Sequence, residues 1–225
     1  MKYDNKKLFI VLCLAVILLG TGCKKNDYLT GGSLHEAITP LKNMDYLKSN
    51  SFKIFDTVTA IIEKFNLSNE VNDAKTFFAF TDYAVLNMIN VKLAAKQTIN
   101  PLATYTLDSL VKDMTADSIR QYIATETLDL DNSPELKAKP FTSKGNTSMG
   151  VLKQLQTGTP YTDRTKAPTY LLYFVKVRGA LDEPGVIPPV NENDFLVLCQ
   201  TTGIKTSNGA TTLHVLSNSH TFVRF

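Results

Sequence analysis

One cysteine behind small residues, three scattered histidines and a few clustered carboxylates are the groups in this chain that could do chemistry. Cys23 ends "GTGC", directly after an apolar run, and reads as a lipobox cysteine that is acylated and becomes the new N-terminus, with Gly20 where leucine is usual. His35, His214 and His220 have no ligand-type residue two to four positions away. Once a signal is cut, Cys199 is the only unmodified thiol, so neither a zinc set nor an intramolecular disulfide can form. Cys199 lies in "FLVLC" and reads as a small core residue. "DLDNSPE" (129–135) begins like a calcium loop, but Pro134 takes the glycine place and Pro140 the place of the last glutamate. Glu126, Asp129 and Asp131 alternate along an expected strand and read as a solvated face. No nucleophile elbow, phosphate loop or dinucleotide fingerprint occurs. The residues therefore indicate no cofactor, no metal and no catalytic set.

Those residues must be carried by elements, and the first segment is not one of them. Lys2, Lys6 and Lys7 precede an apolar stretch, Leu8–Leu19, that is short for a membrane span and fits a signal peptide. Residues 1–22 read as that signal, 23–33 as a polar tether carrying the lipid, and 34–225 as one domain. Removing the signal takes three lysines and Asp4 with it and lowers the formal charge from +3 to +1, so the basic pI implies no nucleic-acid partner. A hydrophobic share of 44% against 20% charged residues is enough for a real core. "SFKIFDTVTAIIEKFN" puts Ile54, Phe55, Val58, Ile61, Ile62 and Phe65 on one helical face. "TLDSLVKDM" and "TADSIRQYI" read as short helices capped by Thr106 and Thr115, with Leu107, Leu110 and Val111, then Ile119, Tyr122 and Ile123, turned inward. From about Thr125 the pattern changes. "ETLDLD", "GVLKQLQ", "TYLLYFVKV", "DFLVLCQT", "TTLHVL" and "HTFVRF" read as strands, which makes the fold class α+β with helices concentrated in the N-terminal half.

Two motifs sharpen this. In "KTFFAFTDYAVLNMI" (75–89) a strand of aromatic and β-branched residues stops at Thr81, whose hydroxyl is suited to cap a helix that begins with Asp82. Phe77, Phe78 and Phe80 should be buried, as should Val197 and Val215. In "KTSNGATTLHVL" (205–216) an Asn-Gly turn precedes a strand carrying a histidine. Phe78, Ala79, Thr81, Asp82 and Ala84 resemble the first motif of fasciclin domains, with Phe80 in place of the usual proline. Thr206, Asn208, Gly209, His214 and Val215 resemble the second, with a longer gap before the histidine. The Tyr-His pair of adhesive animal members is replaced by Tyr122-Ile123. The resemblance covers roughly residues 34–225 and extends to fasciclin-domain lipoproteins of the Bacteroidetes group. It implies a wedge of two β-sheets with helices packed on it. It also implies an outer-membrane binding or adhesion module rather than an enzyme, lipid-anchored and open to surface exposure, and an accessory role in nutrient (glycan) uptake.

Other readings of function remain open at this level: an envelope protein that binds only a protein partner, and a hydrolase using carboxylates paired in space. "DTV" (56–58), "DSL" (108–110) and "DSI" (117–119) match the Asp-Ser/Thr-apolar pattern of Bacteroidetes O-glycosylation sites, although all three fall in expected helices, where packing explains them. A glycan ligand would need aromatic platforms. Tyr161, Tyr170, Tyr173 and Phe174 are the candidates, and tryptophan is absent. The strongest candidate for protein recognition is "GALDEPGVIPPVNEND" (179–194), too long and proline-rich for a simple connector. Leu181, Val186, Ile187 and Val190 sit there beside Asp182, Glu183, Glu192 and Asp194, a mixture that suits a protein partner.

Overall fold

A computed structural model of the chain describes residues 38–158 and 168–222. The signal segment, Cys23, the tether, His35, Tyr161 and the last three residues lie outside the described part. Every described residue falls in one compact unit, Ala37–Phe225.

Six helices lead. α1 is Asn43–Lys48, α2 Asp56–Lys64 and α3 Ser68–Asn72. After strand β1 (Thr76–Ala79) come α4 (Asp82–Gln97), α5 (Leu107–Asp113) and α6 (Ala116–Arg120). The helical face expected of α2 is the one it buries: Val58, Ile61 and Ile62 are in the core, with Ile54 and Phe65 packed at its edge. Asn66 ends α2 in a left-handed conformation (φ 56°). That residue and the next close the helix, through bonds from Asn66 N–H to Glu63 C=O (2.9 Å) and from Leu67 N–H to Ile62 C=O (3.0 Å). α5 and α6 each start with a capping box in which serine replaces the usual glutamate. Ser109 Oγ accepts from Thr106 N–H and Ser118 Oγ from Thr115 N–H, both at 3.2 Å. Leu110, Ile119, Tyr122 and Ile123 are buried and Val111 packs at the edge, but Leu107 is exposed rather than inward, because its place in the first turn of α5 faces solvent.

The remaining strands are β2 (Ile123–Ala124), β3 (Lys139–Thr142), β4 (Ser148–Gln156), β5 (Thr169–Lys176), β6 (Phe195–Thr206) and β7 (Thr211–Leu216). They form a seven-stranded sheet in the order β2-β1-β7-β6-β5-β4-β3. Among the described strands β1 and β7 are the one parallel pair, and Ile38 adds an isolated parallel bridge to Lys205. Every residue of these two strands is buried, as a parallel pair covered on both faces requires. β6 turns the sheet. Phe195–Leu198 pair with β5, Cys199–Thr206 pair with β7, and the register slips twice between Cys199 and Ile204. Gly203 in that stretch has φ 75°. The outer strands then approach one another: Ala124 bridges Ser143, and Lys144 N–H reaches Ile123 C=O at 2.9 Å, so the sheet is nearly closed. Inside lies an aromatic core. Phe78 packs on Phe174 (4.7 Å between centroids), Phe80 on Phe222 (4.4 Å) and on Tyr122 (4.9 Å).

The α+β class with helices ahead of most strands is therefore the architecture observed. One expected strand is not formed, and the described part of another is not. β2 stops at Ala124, ahead of "ETLDLD", whose chain instead closes a reciprocal turn in which Asp129 Oδ1 accepts from Asn132 N–H at 2.9 Å and Asn132 Oδ1 from Asp129 N–H at 3.1 Å. The described part of "HTFVRF" is not a strand either. Phe222 turns inward, fully buried, and its N–H bonds Ala84 C=O at 3.0 Å. Phe77, Phe78, Phe80, Ile61, Ile62, Val197 and Val215 are all buried.

Candidate functional site

The strand-to-helix corner at Thr81 and Asp82 is structural. Thr81 occupies the N-cap place of α4 in extended geometry (φ −102°, ψ 167°), but its hydroxyl does not cap the helix as the sequence suggested. It donates to Asn218 Oδ1 at 3.0 Å and ties the corner to the segment after β7. Asp82 caps a different helix. Its Oδ1 accepts from Val58 N–H (2.9 Å) and its Oδ2 from Thr57 N–H (3.1 Å), while its own N–H donates to Ile54 C=O (2.8 Å). The first turn of α2 follows Phe55, which has no capping side chain, so Asp82 satisfies its orphan donors from 24 residues away. Phe78 and Ala79 are buried in β1, and Ala84 is buried under the segment ending at Phe222.

The second motif is likewise built into the frame. Ser207, Asn208 and Gly209 all have positive φ (51°, 58° and 92°), the sharp turn that Asn-Gly supplies between β6 and β7. Thr206 is buried and its hydroxyl bonds Asn43 Oδ1 (2.5 Å) and the Thr211 hydroxyl. His214 is fully buried. Gly203 N–H donates to its Nδ1 at 3.2 Å, which assigns the proton to Nε2, and Nε2–H donates to Leu128 C=O at 2.9 Å. Burial pushes its pKa down to about 4, so it is a neutral bolt between the β6 bulge and the loop closed by Asp129 and Asn132. His220 is pushed down to about 4 by the same cause, and its Nε2 meets the buried Tyr122 hydroxyl at 2.9 Å. Cys199 is buried and its thiol is pushed well up, which suits core packing and not nucleophilic chemistry. Among the described residues no three His, Cys, Asp or Glu side chains are grouped to hold a metal ion. Glu126 pairs with Lys139 (2.6 Å) and Asp129 with Lys205 (3.7 Å). The triplet serines 109 and 118 serve the capping boxes, and Thr57 N–H serves Asp82. Of the expected aromatic platforms, Phe174 is buried in the core and Tyr170 lies under Lys153 (5.0 Å).

The loop 179–194 is different: it is held rigidly and exposes apolar side chains. Two aspartates clamp its base. Asp194 accepts from Arg178 N–H (3.0 Å) and Asp182 N–H (2.9 Å), and Asp182 accepts from Asp194 N–H (3.0 Å). Leu181 is an anchor rather than a contact residue. It packs with Ala138, Leu152 and Val175 on the outer face of the sheet. Lys137 holds Glu183. Above the clamp two turns fix the backbone. Val186 N–H bonds Glu183 C=O (3.1 Å) across Pro184-Gly185, with Gly185 at φ 78°. Glu192 N–H bonds Pro189 C=O (3.0 Å) across Val190-Asn191, with Asn191 at φ 70°. Both are type II turns, with the residue that tolerates positive φ at the third position. What the clamp and turns present is Val186, Ile187 and Val190, exposed at 61%, 93% and 89%. In the sequence the two aspartates read only as part of the mixture of apolar and acidic residues that suits a protein partner. The reciprocal spacing of Asp182 and Asp194 around a Pro-Gly and an Asn turn was the available signal for a clamp.

No protein-family model and no curated protein matches the chain.

Proposed function

We propose that this protein is a lipid-anchored binding module of the outer membrane, not an enzyme, that captures a protein partner through the loop 179–194. The observation that carries this reading is the exposure of Ile187 and Val190 on a loop already fixed by two turns and an aspartate clamp. Exposed aliphatic residues on a pre-ordered loop lose little further entropy on docking, so their burial counts towards affinity. The loop joins β6 at Phe195, while the described chain begins beside Lys205 near the other end of that strand, so the apolar tip stands well away from the point of chain entry. The lipid on Cys23, the fasciclin-like two-sheet wedge and the accessory role in nutrient uptake or adhesion rest on the signal, lipobox and motif resemblance. In support of the wedge, β6 divides its pairing between β5 and β7, and the motif residues do scaffold work at the corners.

Two experiments test the reading. Cys23→Ser should abolish incorporation of an acyl label and release the protein from membranes; labelling that persists removes the anchor from the proposal. A photo-crosslinking residue at position 187 or 190, in cells, should give one shared adduct that is missing from a control at exposed Ile99. An adduct pattern identical to the control removes the loop.

A further inference from the structure

A second apolar surface lies at the junction of α2 and α4. Phe52 is 82% exposed, and Tyr83 and Leu86, one turn apart on α4, are 49% and 51% exposed. With Lys53, Ile54 and Asp82 they line an open cleft of about 240 Å³. Isolated exposed hydrophobic residues need no explanation, but a contiguous cluster around a concavity does. The cluster is rigidly built. Phe52 sits on an Asx turn, its N–H on Asn50 Oδ1 at 3.0 Å, and Lys53 is held at φ 57°, where lysine is rarely found. The three bonds of Asp82 to backbone groups lock this turn and the start of α2 to the first turn of α4, so the backbone positions that carry the two rings are fixed relative to one another.

We infer that this cleft is a binding site for a neutral saccharide unit, stacked between Phe52 and Tyr83. A pyranose has an apolar C–H face and a rim of hydroxyls, and the cleft offers both complements. The rings of Phe52 and Tyr83 and the side chain of Leu86 supply the apolar wall. Lys53 supplies donors, Asp82 supplies acceptors with each oxygen accepting one hydrogen bond so far, and the Tyr83 hydroxyl supplies both. The lining carries one cation and one anion, and Asp56 faces Lys53 at 4.0 Å, so the cleft offers no unbalanced positive charge and matches a neutral polyhydroxylated ligand better than an anionic one. An aliphatic peptide side chain in the same place would strip water from Lys53, Asp82 and the Tyr83 hydroxyl without replacing their hydrogen bonds. The inference stands on the cleft alone and not on the lipid anchor or the partner loop.

The test uses the full chain and the methyl glycosides of glucose, galactose, mannose and N-acetylglucosamine, with their disaccharides, read by saturation-transfer NMR. At least one sugar should receive saturation concentrated on the C–H protons of one ring face, with a dissociation constant in the millimolar range. Phe52→Ala and Tyr83→Ala should each weaken it tenfold or more with no change in melting temperature, since both side chains are exposed, and Phe52→Trp should restore or strengthen it. Exchange of residues 184–191 for a Gly-Ser linker should leave it unchanged, which separates this site from the partner loop. A panel that gives no saturation, saturation that survives the Phe52→Ala/Tyr83→Ala double variant, or loss on the loop exchange overturns the inference.

Discussion

His214, His220 and Asp82 show how single polar residues stabilise this protein from inside. Both histidines are held neutral with pKa values near 4, against about 6.5 in an unfolded chain. A depressed folded pKa means that the unfolded chain takes up protons first as the pH falls. The contribution is thus fully present above about pH 6.5 and lost progressively towards pH 4. At about 1.4 kcal/mol per pKa unit, each histidine contributes on the order of 3 kcal/mol to that loss. Urea unfolding should therefore show a marked drop in stability between pH 7 and pH 4.5, and His214→Gln should flatten part of that drop. An unchanged pH profile in the variant would mean that His214 is not the buried neutral group described. For Asp82, removal of the carboxylate leaves Thr57 N–H and Val58 N–H without their acceptors. Asp82→Ala should cost about 2 kcal/mol by chemical denaturation, with Asp82→Asn losing less because one acceptor oxygen remains. The sequence marked Asp82 as a charge at the start of its own helix. Its partners on α2 were not visible, because a cap supplied by tertiary contact leaves no mark at local spacing.

At the scale of elements, loop rigidity and fold stability should separate. Asp194→Ala removes the acceptor of two backbone donors at the loop base, while Leu181 and the outer-face cluster stay in place. Limited proteolysis should then cut between 183 and 192 several times faster than in the parent protein, with the melting temperature lowered by only a few degrees. Equal cutting rates would show that the two turns hold the loop without the clamp. The elements also divide by how far their signals reach. The α2 face, the threonine starts of α5 and α6, the Asn-Gly turn and the buried phenylalanines were legible because helical period, capping chemistry and turn residues act within a few positions. The division of β6 between two neighbours was not, since "DFLVLCQT" reads as a strand that stops before Gly203, whereas β6 continues through that glycine to Thr206 and changes neighbour on the way. "ETLDLD" alternates like a strand but serves a turn, because Asp129 and Asn132 satisfy each other's backbone. The helical period that places Ile54 and Phe55 on the core face leaves Phe52 off it, but does not show that Phe52 stands beside Tyr83 and Leu86 of α4.

For the whole molecule, the far ends of the described chain close the fold. At the front, Thr39 N–H bonds Lys205 C=O at 2.8 Å, and Thr39 C=O receives Asn208 N–H at 2.9 Å. At the back, the segment after β7 is stitched across α4. Asn87 Nδ2 donates to Asn218 C=O (3.0 Å) and His220 C=O (2.8 Å), Tyr122 meets His220, and Phe222 fills the core against Phe80 and Tyr122. A nearly closed sheet whose aromatic interior is plugged by its last described residue cannot lose that residue locally, because the cavity would open onto both β1 and α4. Phe222→Ala should therefore cost about 4 kcal/mol, which for a chain of this size is a fall of roughly 10 °C in melting temperature. Phe222→Leu should keep more than half of that, since volume is largely retained. Calorimetry of the two variants checks the pair. A loss below about 1 kcal/mol for Phe222→Ala would mean that the plug is not part of the cooperative core, and the segment after β7 would then be an appendage to the sheet instead of its closure.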